Sequence, residues 1–523
     1  MEEPIMPTNP GADQASQPAV QPLELVQPLA PEVSQPVGVV QPVEVLQPVV
    51  QEVQPVEVLQ PVVEEVINLE ISENIGATLI TGIKAYQRLD SRGNPTVQVD
   101  LQTTIGSFRA IVPSGASTGQ HEAVELRDND KTYYDGKSVL NVVANIQDVI
   151  APALIAEAYD LRTSLKDVDQ FMQKLDGTNN KSRLGANALL AVSMACARAG
   201  AAGLGIPLYD FLRKEAGRER GPYVIPVPFL NVLNGGVHSG NTMAFQEIMI
   251  APVGAGSFEE GIRMATEVYH KLKEILVLRY GAPATGIGDE GGFAPPITTP
   301  VQAFDLLEEA VALCRYTGRI KFGMDPASTE FYRPIEGIYD LGFKESIPNP
   351  QTPVQLQLLY DQLIAAYPLV LLEDPFAEDD WVSWASFNQT CPIELVGDDL
   401  LVTNIERVKM ASEKKACNSM LLKLNQIGTV TEAISAANLA FSLGWSVFVS
   451  HRSGETTDDF IADLTVALGT GHLKSGAPCR GERVAKYNRL MDIEAELREK
   501  GKPCVYAGTD FRSPSNLSVQ LTQ

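Results

Sequence analysis

The sequence lacks positive charge over its first part, with no lysine or arginine before Lys84. The 523 residues carry 41 Lys+Arg against 65 Asp+Glu, a formal net charge of −24. Residues 1–76 contain 12 Asp+Glu and so carry half of that charge. A chain this acidic lacks the basic surface that sequence-independent nucleic-acid binding requires. We therefore expect no nucleic-acid partner.

Cysteines and long hydrophobic runs are also scarce. The six cysteines are widely spaced and include no CxxC pair, which favours reduced thiols in a cytoplasmic protein over a disulfide framework. No stretch of about 18 uncharged apolar residues is present, so we expect no membrane insertion. The acidic start Met1–Pro4 is followed by no uninterrupted apolar run, which argues against a secretory signal.

Residues 1–76 contain a repeat of thirteen residues. The copies are QPLELVQPLAPEV at 21–33, QPVEVLQPVVQEV at 41–53 and QPVEVLQPVVEEV at 54–66. Proline at the second and eighth positions of each copy opposes both helices and central strands. We therefore expect 1–76 to be a disordered acidic extension, made of extended, polyproline-like segments. A tail without chemistry and an arm that binds an unknown partner are both open.

Beyond the repeats, the pattern predicts an α/β protein with a smaller α+β domain at 77–220 and a catalytic barrel at 221–523. Strands are expected at Leu79–Asp90, Pro95–Thr104 and Phe108–Val112, and helices follow them. These helices are expected at Val139–Ala158, Leu165–Leu175, Ala186–Leu204 and Leu208–Glu215. From Pro226 onward, short Val/Ile/Leu-rich strands alternate with helical stretches, which is typical of βα units.

One ionisable residue ends each successive predicted strand of the barrel. These residues are Asp325, Glu373, Asp398, Lys423, His451 and Lys474. The intervals between them are 48, 25, 25, 28 and 23 residues, and 25 residues suffice for one strand, one helix and two loops. The first interval fits two such units, or one unit with the insertion Phe331–Phe343. Polar groups at the carboxyl ends of successive strands are how a (β/α) barrel builds an active site at one mouth.

The chemistry of these residues points to a metal-assisted elimination. Three carboxylates, Asp325, Glu373 and Asp398, offer the oxygen ligands that Mg²⁺ prefers. A lysine beside a metal ion and other cations can act as a base, and Lys423 and Lys474 face the same mouth. Two further carboxylates could act as acids. Glu290 lies in the glycine-rich loop 288–292, and Glu247 follows a predicted strand Ala244–Gln246. Base, metal and acid together suggest proton abstraction next to a carboxylate, followed by loss of a leaving group.

Two segments favour a phosphate in the substrate. SGASTG at 114–119 offers backbone amides, hydroxyls and glycines. HRSGET at 451–456 places the guanidinium of Arg452 and the hydroxyl of Ser453 directly after a strand. The first segment alone is weak, because many such loops are only turns, and the second strengthens the case.

These residues together resemble the enolase family over about residues 79–512. The motifs that carry the resemblance are long and specific. They are DSRGNPT at 90–96, VPSGASTG at 112–119, NKSRLGANA at 180–188, PVPFLNVLNGG at 226–236, GDEGGFAP at 288–295, LLEDPFAEDDW at 371–381, GDDLLVTN at 397–404, LLKLNQIGT at 421–429 and VSHRSGETTDDFIADL at 449–464.

The resemblance implies an irregular barrel that begins ββαα, and Mg²⁺-dependent dehydration of 2-phosphoglycerate to phosphoenolpyruvate by a homodimer. The pairing of a lysine or histidine base with Mg²⁺ is a general feature of enolase-superfamily sites. The implied roles are as follows: Asp325, Glu373 and Asp398 hold the first Mg²⁺; Ser117 helps to hold the second; Lys423 removes a proton; Glu290, supported by Glu247, protonates the departing hydroxide; Lys474 faces the substrate carboxylate; Arg452 and Ser453 clamp the phosphate; His238 and His451 line the pocket.

The sequence departs from the family pattern at two positions, which keeps other functions open. Pro326 follows Asp325 where the family has a small non-proline residue, and the loss of a donor there could shift Asp325. Tyr86 replaces an arginine that in the family pairs across the dimer with the residue matching Glu482. A structural or scaffolding paralogue with reduced or no activity is therefore the alternative. Another acid-sugar dehydratase is disfavoured by the two phosphate-binding segments.

Overall fold

The structure is a computed structural model that describes residues 76–115 and 119–514. The extended, disordered arm predicted for the repeats lies outside these residues. Ser117, which was predicted to be a metal ligand, also lies outside them.

The chain from residue 80 begins with a three-stranded antiparallel sheet. Its strands are β1 (Ile80–Leu89), β2 (Pro95–Thr103) and β3 (Gly106–Ile111), in the order β1-β2-β3. The β1–β2 turn forms because Oδ1 of Asp90 accepts the backbone N–H groups of Arg92 at 2.8 Å and Asn94 at 2.9 Å. The three strands predicted here are confirmed.

Helical segments follow this sheet, and Leu140–Glu157 and Ala186–Gly203 pack on it. The segments are Leu140–Glu157, which includes a π-helical segment at Asn145–Ile150, then Leu165–Asp176, Ala186–Gly203 and Leu208–Glu215. Leu140–Glu157 is long and apolar enough to cross a membrane by length and composition alone, and the bent pair Ala186–Gly203 and Leu208–Glu215 passes the same test together. Buried core helices also meet that criterion, and Leu140–Glu157 places Val142, Ile146 and Ile150 in the core beside the sheet.

Eight strands then close into a barrel. They are β5 (Val227–Asn234), β6 (Glu247–Ala251), β7 (Lys321–Asp325), β11 (Leu369–Glu373), β12 (Glu394–Gly397), β13 (Ser419–Leu422), β14 (Ser446–Ser450) and β15 (His472–Lys474). They follow one another around the barrel in chain order, and β15 pairs with β5 to close it. Only β6 is antiparallel to its neighbours in the barrel.

Helices cover the outside of the barrel. Those between β6 and β11 are Phe258–Tyr280, Pro300–Leu313 and Pro353–Ala366; the later ones are Trp381–Asn388, Ile405–Lys414, Val430–Ser442, Phe460–Leu468 and Gly481–Glu499. The short helix Leu424–Ile427 lies at the mouth instead, where Gln426 hydrogen-bonds to Asp398. Two strands and then two helices precede β7, so the predicted irregular barrel with a ββαα start is confirmed.

The remaining strands lie outside the barrel. They are β4 (Tyr223–Ile225), paired with β16 (Cys504–Tyr506), and a small sheet of β8 (Tyr332–Arg333), β9 (Ile338–Asp340) and β10 (Pro350–Gln351). The small sheet and one helix separate β7 from β11. The interval of 48 residues is therefore one βα unit with an insertion.

Large side chains fill the lower part of the barrel. The His472 ring stacks on Phe448 with ring centroids 4.5 Å apart, and it hydrogen-bonds to Glu394 at 3.1 Å. Phe229 and Phe511 pack against the same cluster. Because this end is filled, polar groups can meet a ligand only at the mouth where the parallel strands end.

Candidate active site

The six ionisable residues predicted to end barrel strands meet at one mouth. Asp325, Glu373 and Lys474 are the last residues of β7, β11 and β15, and Asp398, Lys423 and His451 directly follow β12, β13 and β14. All six except Glu373 line one cavity, and so do His238, Glu247, Glu290, Arg452 and Ser453. The strand-end pattern in the sequence thus located the cavity.

Lys474 lies among three carboxylates. Its Nζ is 2.7 Å from Oε1 of Glu373, 3.3 Å from Oε2 of Glu247 and 3.7 Å from Oδ2 of Asp325. Burial lowers the pKa of Lys474, but these carboxylates outweigh burial and raise it well above its ordinary value. Lys474 is therefore a fixed cation at this mouth.

Lys423 pairs with Asp398 across neighbouring strand ends. Burial lowers the pKa of Lys423, and the charge of Asp398 outweighs burial and raises it. The other oxygen of Asp398 accepts a hydrogen bond from Nε2 of Gln426 at 2.7 Å. The sequence placed Lys423 and Asp398 here, but Gln426 was not singled out.

Two further carboxylates, Asp374 and Asp399, belong to the same cluster. Asp374 accepts the backbone N–H of Asp398 at 2.9 Å and that of Asp399 at 2.8 Å. Oxygens of Asp374, Asp398 and Asp399 lie within 4.8 Å of one another. Burial, and after it the neighbouring carboxylates, raise the pKa of Asp374 and of Asp399 well above their ordinary values. Asp374 and Asp399 directly follow Glu373 and Asp398 in the motifs at 371–381 and 397–404. Their adjacency to two predicted metal ligands could have identified them as members of the cluster.

This carboxylate cluster fits a divalent cation. Oε2 of Glu373 is buried and has no hydrogen-bond partner among residues 76–115 and 119–514. Burial and the charge of Glu373 raise the pKa of Asp325 well above its ordinary value, which is the cost of crowding buried carboxylates without a counter-ion. Hard oxygen donors without thiolates suit Mg²⁺ rather than zinc.

Glu290 lies between two histidines. Its Oε2 accepts a hydrogen bond from Nδ2 of Asn231 at 2.9 Å, and Nε2 of His451 lies 3.5 Å away. Nδ1 of His238 is 3.7 Å from Oε1 of Glu290. Burial alone would raise the pKa of Glu290, but His451 and then His238 hold it well below the ordinary value. Burial and then the charge of Glu290 raise the pKa of neighbouring Glu247 to about 8. Two carboxyl groups with opposed pKa shifts are a common arrangement in acid–base catalysis.

Glu247 occupies a different backbone position from the predicted one. We predicted a strand at Ala244–Gln246 with Glu247 after it, and this is wrong, because Glu247 is the first residue of β6. Since β6 is antiparallel, its first residue lies at the mouth where the parallel strands end, opposite Asp325 in the register. The carboxylate of Glu247 therefore lies at the predicted mouth, although the strand boundary differs from the predicted one.

Arg452 and Ser453 form the side of the cavity where a phosphate was predicted. Arg452 donates to both oxygens of Glu122, at 3.0 and 3.2 Å, and to Oδ1 of Asn425 at 3.3 Å. Oγ of Ser453 donates to Asp289 at 3.3 Å and accepts a hydrogen bond from Arg92 at 3.4 Å. Glu122 and Arg92 were not predicted as site residues.

The start of the SGASTG segment reaches the same side. The backbone N–H of Ser114 donates to the carbonyl of Gly454 at 2.7 Å, and the Ser114 hydroxyl donates to Asp90 at 2.5 Å. Arg92 also donates to the carbonyl of Gly115 at 2.8 Å. The two segments predicted to bind phosphate thus approach each other at Ser114 and Gly454.

Arg483 supports the cavity from behind and was missed by the sequence analysis. This fully buried guanidinium donates to Nδ1 of His451 at 2.6 Å and to the carbonyls of Arg452 at 2.5 Å and Ser453 at 2.6 Å. Its position on the helix Gly481–Glu499, about 30 residues from its partners, gave no local signal.

Pro326 does not release the neighbouring carboxylate. Oδ1 of Asp325 accepts the backbone N–H of Ala327 at 2.8 Å, so the donor that proline lacks at position 326 is replaced one residue later. Ala327 takes a left-handed conformation with φ of 51° to make this contact. Asp325 lines the cavity with the other strand-end groups.

Two known protein families match most of the chain. Residues 80–212 match the family described as "Enolase, N-terminal domain". Residues 222–515 match the family described as "Enolase, C-terminal TIM barrel domain". The chain belongs to the enolase family. Membership supports an enolase-type lyase function with use of a divalent metal, and the carboxylate cluster of this enolase is chemically suited to that metal.

Proposed function

We propose that this enolase catalyses the Mg²⁺-dependent, reversible dehydration of 2-phosphoglycerate to phosphoenolpyruvate, a step of glycolysis and gluconeogenesis. The observation that carries the proposal is one small cavity lined by two lysines, the Glu247–Glu290 pair and Arg452. A phosphorylated hydroxy acid needs a base, an acid, a carboxylate partner and a phosphate partner, and these residues supply all four.

The first half of the reaction is proton removal. Nζ of Lys423, in its neutral form, takes the proton from the carbon that bears the phosphate, and the substrate carboxylate gains negative charge as that bond breaks. The pairing with Asp398 that raises the pKa of Lys423 would weaken once Asp398 holds a metal ion, and the charges of Arg452 and Lys474 then favour the neutral amine. Lys474 faces the carboxylate as a fixed cation, held in place by Glu373 and Glu247. Preplaced positive charge where negative charge develops lowers the barrier without reorganisation.

The second half is loss of the hydroxyl group. Glu247, whose pKa of about 8 keeps it protonated at neutral pH, supplies a proton to Glu290, and an oxygen of each lies within 4.8 Å of the other. Glu290 passes this proton to the departing hydroxide as the carbon–oxygen bond breaks, so that water leaves and the double bond forms. His451 and His238 keep Glu290 oriented, and Arg452 and Ser453 hold the phosphate. One proton is taken and one is given, so no redox partner is required.

Asp325, Glu373 and Asp398 would hold one Mg²⁺, and Ser117 with the substrate would help to hold a second. Bound there, the two ions would supply positive charge to the substrate carboxylate and phosphate. The sequence motifs and the buried oxygen donors of the described residues support this assignment.

We further propose a cytoplasmic homodimer with neither nucleic-acid binding nor membrane insertion. In this chain Tyr86 is covered by Arg88, whose guanidinium carbon lies 4.8 Å from the ring centroid. Glu482 accepts a hydrogen bond from Arg480 at 2.6 Å. Both positions therefore have contacts within the subunit, and loss of a single rim ion pair costs a dimer little.

The test is the ultraviolet absorbance of phosphoenolpyruvate formed from 2-phosphoglycerate by the full-length protein. We expect product with Mg²⁺ and none after chelation with EDTA. No product at any Mg²⁺ concentration would support the alternative, a scaffolding paralogue that keeps the fold without the reaction.

A further inference from the structure

A second basic site lies at the opposite end of the barrel from the catalytic cavity. It is an open groove of about 330 Å³, lined by Arg213, Arg218, Arg220 and Arg512 together with apolar side chains. Among residues 76–115 and 119–514, no aspartate or glutamate lines it. We call it the arginine groove.

The position of the arginine groove separates it from catalysis. Trp445, which lines the groove, directly precedes β14, whose other end carries His451. The five residues of β14 rise about 3.3 Å each, so the two sites lie about 17 Å apart along this strand. The groove shares no lining residue with the catalytic cavity.

Arg213 shapes the groove from beneath. Its guanidinium is buried and donates to the carbonyls of Arg218 at 2.8 Å, Arg220 at 3.2 Å and Gly221 at 2.6 Å. These bonds fold the loop that follows the helix Leu208–Glu215, and they set the positions of Arg218 and Arg220. Arg213 is therefore structural, and the other three arginines are the ligand-binding candidates.

The charges of the three outer arginines are not neutralised by any carboxylate of the described residues. None of them forms an ion pair within the described part of the chain. Arg218 stacks on the Phe441 ring, with its guanidinium carbon 3.9 Å from the centroid. Burial and the charge of Arg213 lower the pKa of Arg218, so an anion in the groove would relieve an existing electrostatic cost.

The lining of the groove selects the kind of anion. Guanidinium groups match phosphate oxygens in a bidentate manner, and three of them can hold a polyphosphate chain. Trp445 and Phe441 add aromatic surface, and Leu468 and Val224 add aliphatic surface. A volume of this size suits a small organic ligand rather than a single phosphate ion. We propose that the arginine groove binds a phosphorylated small molecule with a flat apolar part, the chemistry of a nucleoside polyphosphate.

The test is isothermal titration calorimetry of the full-length protein with ATP in EDTA. The wild type is compared with Arg220→Gln/Arg512→Gln and with a control, Arg88→Gln/Arg315→Gln, that removes the same charge elsewhere. We expect ATP to bind the wild type and the control equally, and the groove variant at least tenfold more weakly. Neither of these two arginine side chains makes a hydrogen bond to another described residue, so melting temperatures should stay alike.

Inorganic tripolyphosphate distinguishes nucleotide binding from simple charge attraction. We expect it to bind more weakly than ATP, and Trp445→Phe to reduce the difference. Equal affinity for the two ligands, equal weakening in the control variant, or no binding at millimolar ATP would overturn the proposal. Binding that occurs only after residues 515–523 are deleted would assign the groove to that segment, which follows Pro514 at the rim, and would also overturn it.

Discussion

Nη1 of Arg483 donates a hydrogen bond to Nδ1 of His451 over 2.6 Å. Since an arginine cannot accept, Nδ1 is the acceptor and the ring proton lies on Nε2, the nitrogen that faces Glu290 at 3.5 Å. One buried residue on an outer helix therefore fixes the tautomer of a histidine in the active site.

Replacing Arg483 with lysine should lower kcat at least tenfold. An ammonium group cannot reach His451 and the carbonyls of Arg452 and Ser453 together, so the His451 ring loses its orientation. The measurement is steady-state phosphoenolpyruvate formation, with kcat and the half-saturating Mg²⁺ concentration obtained separately. We expect Mg²⁺ half-saturation to change little, because Arg483 makes no hydrogen bond or ion pair with Asp325, Glu373 or Asp398.

Arg489→Lys is the matched control for this substitution. Arg489 lies on the same helix and pairs with Asp463 at 2.8 Å, away from the cavity. It should keep wild-type kcat. An Arg483→Lys variant that also retained wild-type kcat would show that the tautomer of His451 does not depend on this contact.

Replacing Pro326 with alanine should leave the Mg²⁺ requirement within about twofold of wild type. The reason is that Asp325 is held by the N–H of Ala327, which this substitution retains. The effect is measured by titrating activity with Mg²⁺. The contrasting variant is Asp325→Asn, which replaces an anionic ligand with a neutral one and should raise the required Mg²⁺ concentration strongly. If Pro326→Ala raised Mg²⁺ affinity tenfold, proline would be constraining the carboxylate after all.

Asp169 should make stability depend on pH. It is buried between the helices Leu165–Asp176 and Val430–Ser442, where it accepts from the N–H and the hydroxyl of Thr431 at 3.0 and 2.8 Å. Burial raises the pKa of Asp169 from 3.8 to about 7, and Glu432 on the facing helix, itself paired with Lys181, adds to the rise. The folded chain thus binds this proton more tightly than the unfolded chain. The stabilisation is complete below about pH 4 and is lost as the pH rises through 7.

Asp169→Asn should remove this pH dependence. The melting temperature of the variant relative to wild type should rise by about 3 °C between pH 5 and pH 8. Asp167→Asn, an exposed position on the same helix, is the control and should show no such trend. Parallel pH curves for Asp169→Asn and wild type would mean that Asp169 stays ionised in the folded protein.

The sequence predicted those parts of the site that follow from local pattern. An ionisable residue at the end of an apolar strand is visible from neighbouring residues alone, which is why Asp325 and Lys474 could be placed at one mouth. The direction of β6 is not a local property, so the strand boundary at Glu247 was wrong although its carboxylate was found.

Supporting residues were beyond prediction because their partners are distant in the sequence. Glu122 hydrogen-bonds to Arg452 across 330 residues of sequence. Arg483 hydrogen-bonds to residues about 30 positions earlier, and its helix carries no sequence motif that marks these contacts. Only the closed barrel brings these groups together. Residues such as Asp374 and Asp399 form an intermediate case, since their motifs were recognised but their place in the carboxylate cluster was not.

The most direct test of the proposed function combines catalysis and metal binding in the variant Lys423→Ala. Phosphoenolpyruvate formation and the melting temperature are measured with and without Mg²⁺, for the variant and the wild type. We predict that Lys423→Ala forms no detectable product yet keeps the Mg²⁺-dependent rise in melting temperature, because Asp325, Glu373 and Asp398 remain. Full activity in this variant would contradict the assignment of Lys423 as the base.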